Sequence, residues 1–215
     1  MRYQGSVSYS AAIESAASHD TDDAVSAFAQ RADRDAQCRG FDHATRRVVL
    51  GDGAVWIWNM TDELFPGAIQ IVDLFHAKQH LSDVAKAVYG AGTDLARQWA
   101  CARHDDLDAG RWDDLCTALR GHATTHREAH HCLEYVTHHR ARMRYPEFRA
   151  QGLCVSSGVV EAGCKVVIGT RLKRTGMHWT VAGADAIIAL RCCKLSGRFE
   201  DFWERRSATR RTDVA

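Results

Sequence analysis

Proline is scarce in this sequence: Pro66 and Pro146 are the only two among 215 residues. With so few helix breakers, long uninterrupted helices are expected and a loop-rich fold is excluded. Also missing is any apolar run near the roughly 18 residues that a membrane helix requires. The N-terminal MRYQGSVSYSAAIES lacks the apolar stretch of a secretory leader. These absences predict a cytoplasmic protein with no membrane partner. Eight cysteines are present, yet none forms a CxxC pair: six are scattered singly, and Cys192 and Cys193 are adjacent in an apolar helical pattern. These positions argue against a disulfide framework, and free, buried thiols are expected. No internal repeat or low-complexity linker occurs.

The remaining composition is that of a globular protein, 46% hydrophobic and 26% charged, long enough for one sizeable domain or two small ones. The net charge of +1 conceals an asymmetry. Residues 140–215 hold 15 Lys/Arg against 7 Asp/Glu, whereas residues 1–139 hold 13 against 20. A basic third beside an acidic remainder suits an anionic partner docking on one side, and equally suits solvated charge at helix ends.

Periodicity places the elements. Gln4–Ile13 alternates loosely and reads as a strand, and Asp20–Gln37 as an amphipathic helix. Val48–Leu50 is a short continuous apolar run of the buried parallel type, closed by Gly51-Asp52-Gly53. A helix over Ala54–Leu64, broken at Phe65-Pro66-Gly67, leads to a second such run, Ala68–Val72, closed by Asp73. This alternation is that of a layered α/β sheet with crossover helices. From Phe75 to about Phe148 only helices are expected: Phe75–Tyr89, Asp94–Ala102, Trp112–Leu119 and Thr124–Arg142. Leu153–Val155 is extended. Ser156-Ser157-Gly158 opens a helix to about Lys173, followed by helices over Ala182–Leu195 and Phe199–Arg206 and a frayed tail.

Three segments carry candidate chemistry. Asp52 lies just past a buried strand, where open α/β sheets place their ligands, and the flanking glycines leave its carboxylate approachable; it would equally cap the next helix. Asp73 also follows a strand, and His76 lies one helical turn on. The two side chains could hydrogen-bond and fix the imidazole tautomer, or Asp73 could be a plain helix cap. Glu161 opens a helix with Lys165 at i+4, an arrangement that, taken by itself, an exposed salt bridge on a solvated helix explains better than a site does. Arg171, Lys173 and Arg174 cluster near the helix end, and Trp179 follows; basic and aromatic groups so interleaved suit phosphate contact and base stacking. His122, His126 and His130 fall at i, i+4 and i+8 on the expected Thr124–Arg142 stretch and its approach, with His131, His138 and His139 nearby. They could chelate Zn²⁺ or Ni²⁺, or form only a polar face.

Together, VVLGDGAVWIWNMTDELFPGAIQIVDLFHAKQHL, MRYPEFRAQGL and SSGVVEAGCKVVIGTRLKRTGMHWTVAGADAIIALRCCKLSGRFEDFW resemble the ISKra-type transposases of bacterial insertion sequences, and VSYSAAIES resembles the strand before their first helix. The resemblance covers nearly the whole chain. It implies a ribonuclease-H-like mixed sheet with three catalytic acids (DDE) and a large helical insertion. Residues 1–76 would be a partial core, 77–150 the insertion, 151–207 the C-terminal helices of the core, and 208–215 a disordered tail. Asp52 would be the second acid and Glu161 the third, both metal ligands, with Asp73 and His76 matching a supporting D-x-x-H motif. Lys165, Arg171, Lys173, Arg174 and Trp179 would contact DNA. The family's chemistry implies two Mg²⁺ (or Mn²⁺) ions, double-stranded DNA as partner at transposon ends and target, and a homo-oligomer.

The sequence departs from the family at its front, where no Asp or Glu precedes Glu14. The first acid is therefore expected to be absent, the sheet incomplete at its N-terminal strands, and the chain inactive alone. Asp52 and Asp73 do not serve as the first two acids, because their separation of 21 positions holds one helix and one strand where the family order needs two further strands. An incomplete sheet is expected to leave the apolar faces of Val48–Leu50 and Ile69–Val72 uncovered and to favour oligomers. The competing readings are a catalytically dead DNA-binding or inhibitory remnant and a histidine-rich metal-binding helical protein.

Overall fold

The structure, a computed structural model, describes residues 7–13, 26–173 and 175–212. In chain order the elements are α1 (Ala27–Cys38), β1 (Val48–Gly51), α2 (Val55–Leu64), β2 (Ile69–Val72), α3 (Leu74–Tyr89), α4 (Asp94–Ala109), α5 (Trp112–Ala123) and α6 (Arg127–His139). Then come α7 (Tyr145–Ala150), α8 (Gly158–Cys164), a π turn (Lys165–Gly169), α9 (Thr170–Leu172), α10 (Val181–Leu195) and α11 (Phe199–Thr212). The chain is thus mixed α/β with a large helical part and a small two-stranded parallel sheet. It divides into two compact units: a middle unit, Thr45–Ser157, and a terminal unit, Met1–Ala44 with Gly158–Ala215. Among the described residues no helix is long and apolar enough to cross a membrane.

In the middle unit β1 and β2 pair in parallel, with Val48 opposite Ile69 and Gly51 opposite Val72, and α2 is the crossover between them. The two carboxyl ends therefore coincide. Ile71 and Val72 are fully buried, and Val48, Leu50 and Ile69 pack partly buried against a core that includes Leu81, Val84, Leu107, Leu115, Leu119 and Val136. The expectation of uncovered strand faces is met only in part: helices α3 to α7 supply apolar side chains to the same core, while Val48, Val49, Leu50 and Ile69 stay partly exposed. Helix ends follow their caps. Asp73 and Thr93 accept the amides of His76 and Ala96 at the starts of α3 and α4, and Gly110, at φ 69°, closes α4. Helix α4 runs past the expected Ala102 because Arg103 and Arg111 bracket the buried Asp106 carboxylate at 2.6 and 2.9 Å. The Tyr145 hydroxyl, on α7, donates to the Val72 carbonyl at 3.1 Å and ties that helix to β2.

The terminal unit has a smaller core of Val167, Ile188 and Cys192, with Tyr9, Ala11, Ile168 and Leu172 packed against it. Residues 7–13 belong to no strand, and Gln4–Ser6 of the expected strand lie outside the described residues. The segment is instead held by side chains: the Tyr9 amide donates to Ser196 Oγ at 2.9 Å, and Ile13 to Asp185 at 3.2 Å. Helix α1 starts at Ala27, capped by Ser26, and residues 20–25 of the expected helix fall outside the described residues. The helix opening at Gly158 loosens into a π turn at Lys165. There the Arg191 guanidinium donates to the carbonyls of Val166 and Val167, and Thr170 Oγ1 to that of Lys165. Helix α11 continues to Thr212, through a stretch expected to fray. All eight cysteines are free, but only Cys132 and Cys192 are buried; Cys38, Cys101, Cys154 and Cys164 are exposed, against the expectation of buried thiols.

Candidate functional site

The carboxyl ends of β1 and β2 set two aspartates side by side. The Asp73 amide donates to the Gly51 carbonyl at 2.7 Å, continuing the ladder past the strands. Asp52 is exposed, and its Oδ1 accepts the Ala54 amide at 3.0 Å. Asp52 does not cap α2, whose N-cap is Ala54 with no side-chain hydrogen bond; its oxygen tightens the turn before the helix, and the group stays open to solvent. The turn is clamped from above by α6. The Tyr135 hydroxyl donates to the Asp52 carbonyl at 2.7 Å, and its ring lies so close to Gly53 that a Cβ there would stand 2.6 Å from it. Gly53 also has φ 104°, a conformation that a side chain strongly disfavours. Burial, and secondarily the Asp52 charge, push the Tyr135 hydroxyl well above its ordinary pKa, so it remains a donor.

Asp73 is buried at 4% exposure and spends both oxygens on backbone amides, Oδ1 on His76 at 2.8 Å and Oδ2 on Ser157. The expected bond to the His76 imidazole is therefore replaced by one to the His76 amide. Asp73 caps α3 and fastens the chain where it leaves the middle unit. The exposed His76 ring instead meets His80 edge-on at 4.9 Å, and His80 packs on Tyr135 at 4.3 Å. His139 completes the group, 4.9 Å from Tyr135 and itself 4% exposed, with no partner at Nδ1. Desolvation, then the neighbouring His138 and Arg142 charges, lower the His139 pKa to about 4; desolvation, then His76, also lowers that of His80. At neutral pH His80 and His139 are therefore uncharged. The sequence offered no spacing that joins α6 to the Asp52 turn, 83 residues away.

Glu161 stands in the other unit. It is exposed and pairs with Lys165 at 2.7 Å, the salt-bridge alternative. Asp52 and Glu161 thus belong to different units. Arg171 and Lys173 are exposed, and Arg174 lies outside the described residues. Trp179 is half-buried, with its Nε1 buried and unpartnered, so it does not stand free on the surface. A stronger basic feature of this unit escaped the sequence reading. Arg31, Arg34, Arg198 and Arg206 line a cavity of about 480 Å³ with Tyr9 and Phe202. Asp35 binds Arg198 at 2.8 Å and so neutralises one of the four guanidinium groups. The i, i+3 pair Arg31 and Arg34 was a local signal; its convergence with α11 was not.

The expected histidine face of 122, 126 and 130 does not form. Helix α5 ends at Ala123 and α6 starts at Arg127, and His126 is the N-cap between them. His122 turns to the Tyr89 hydroxyl at 3.1 Å and packs between Tyr89 and Trp99, while His126 Nδ1 contacts Thr125 Oγ1 at 2.9 Å. No protein-family model, curated protein or solved structure matches the chain.

Proposed function

We propose that the chain is part of the catalytic domain of a DDE-type insertion-sequence transposase, with a ribonuclease-H-like sheet in the intact enzyme, whose chemistry is metal-dependent DNA strand cleavage and transfer. The observation that carries this reading is the pair of coincident strand ends, with a solvent-open Asp52 on a turn clamped by Tyr135 and braced by the buried Asp73. Open parallel sheets place their reacting groups at that edge. In this reading Asp52 and Glu161 are the acids, Asp73 and His76 give support, and the arginine-lined cavity joins Lys165, Arg171, Lys173 and Arg174 in contacting DNA phosphates.

The donor set does not fit the two Mg²⁺ ions that the resemblance implies. Two-ion catalysis needs several carboxylates around ions roughly 4 Å apart. Both Asp73 oxygens are committed to amides, and Glu161 is neutralised by Lys165. Among the described residues of the middle unit, Asp52 is the carboxylate left open at the strand ends. The chain's own residues therefore present and orient one carboxylate, shield its backbone beneath Tyr135, and offer cations to phosphate. The dead, DNA-binding or inhibitory remnant is the second reading, and this deficit favours it for the isolated chain.

Two assays test the proposal. Anisotropy with labelled double-stranded DNA at low salt, without metal, is expected to show binding that weakens steeply as salt rises. A supercoiled-plasmid nicking assay in Mg²⁺ or Mn²⁺ is expected to show no cleavage above background. No DNA affinity at low salt would sink the transposase reading. Cleavage abolished by Asp52→Asn would overturn the inactivity while strengthening the family assignment.

A further inference from the structure

Helix α6 carries a second feature, independent of the transposase reading. His130, His131 and Glu134 present ligand atoms that all lie within 4.8 Å of one another, and all three residues are exposed. His130 Nδ1 is already 3.3 Å from Glu134 Oε2, and the two imidazole centroids are 6.1 Å apart. Helical geometry explains the convergence: Glu134 is one turn on from both histidines, at i+4 and i+3, so its carboxylate reaches between them. Zn²⁺ holds nitrogen and oxygen ligands at about 2.0–2.2 Å, which puts tetrahedral neighbours about 3.3 Å apart. The His130–Glu134 pair has that spacing, and His131 closes on it by side-chain rotation alone, since nothing buries it.

We propose that His130, His131 and Glu134 form a transition-metal site of the two-histidine, one-carboxylate type, with Zn²⁺ as its preferred probe. Two imidazoles exclude Mg²⁺, which selects hard oxygen donors, and favour Zn²⁺, Ni²⁺ and Cu²⁺. Three protein ligands leave at least one coordination position open to water or to an incoming donor. Bound metal links one turn of α6, and Tyr135, the residue after Glu134, is the clamp on the Asp52 turn. The site thereby stiffens the helix that orients Asp52.

The test uses the full chain at pH 8 with its thiols alkylated, because exposed Cys38, Cys101, Cys154 and Cys164 would compete for zinc. Zinc is titrated against a chromophoric indicator. The expected result is one Zn²⁺ per chain, undisturbed by a hundredfold excess of Mg²⁺, and weakened about tenfold or more by His131→Ala or Glu134→Gln. It is lost in the double variant His130→Ala/His131→Ala. His122→Ala and Asp52→Asn leave it unchanged, which separates this site from the strand-end acids. Zinc also raises Tm in the parent but not in the double variant. Circular dichroism confirms that these exposed substitutions leave the helix content intact. Stoichiometric zinc binding that persists in the double variant, equal loss in His122→Ala, or no binding by the alkylated parent each overturns the proposal.

Discussion

The two units hold their candidate acids in opposite ways. In the middle unit Asp52 stands above a core where Leu81, Leu115 and Leu119 are fully buried, and its turn is gripped by a tyrosine from a distant helix. In the terminal unit Glu161 lies on a short helix, and the buried cluster among the described residues there is the small one of Val167, Ile188 and Cys192. Val160, Val166, Met177 and Val181 of this unit are exposed, and a π turn follows the helix. A large close-packed core fixes the backbone on which a group is mounted, so the group keeps one geometry. A thin core leaves backbone carbonyls to be satisfied by side chains such as Arg191, and Glu161 is held by a solvent-facing ion pair with Lys165.

Truncation of core residues should expose this contrast most strongly. Leu115→Ala is expected to cost the middle unit about 2–5 kcal/mol, whereas Ile188→Ala falls at the low end, near about 2 kcal/mol, because its surroundings can collapse. Urea unfolding monitored by tryptophan fluorescence would measure both, and equal costs would erase the distinction.

Gly53→Ala is expected to cost about 1–2 kcal/mol from its positive φ and the Tyr135 clash. Adding Tyr135→Ala should recover the steric part only, so an additive double-mutant cycle would argue against the clamp. Asp73→Asn comes next. The amide replaces one acceptor oxygen with a donor that faces a part-buried N–H, at a cost of about 1 kcal/mol. The loss should appear as faster amide exchange at His76 and Ser157. A pH series sharpens the comparison further. With the folded pKa of His139 lowered to about 4, the unfolded chain binds more protons between about pH 6.5 and 4. The stabilising contribution is therefore complete above pH 6.5 and is lost as pH falls towards 4. Tm should decline over that window less steeply in His139→Gln than in the parent. The smallest effect is expected at Glu161→Gln, whose exposed pair with Lys165 contributes less than about 1 kcal/mol. A larger change in Tm would mean that Glu161 is more tightly held than its surroundings suggest.

Local chemistry made much of the middle unit legible. Val48–Leu50 and Ile69–Val72 are continuous apolar runs bounded by turn residues, and both are parallel strands with an aspartate at the end. The helix start at Asp73 followed from capping chemistry. Where a stretch depended on distant partners, the reading erred. Residues 7–13 alternate like a strand yet are fixed by Ser196 and Asp185, some 170–190 positions on. The expected helix from Thr124 to Arg142 breaks at His126, which scatters the anticipated histidine stripe and leaves His130 and His131 to meet Glu134 instead.

The sequence by itself determined where the strands and most helices lie, and that Asp52 and Asp73 end neighbouring strands, because hydrophobic period and capping act over a few residues. Only the tertiary structure decided what those acids do. It buried Asp73 against two amides and left Asp52 open beneath Tyr135. It also gathered four arginines from three segments around one cavity. Those outcomes rest on contacts between residues tens to more than a hundred positions apart, and no local pattern in the chain encodes them.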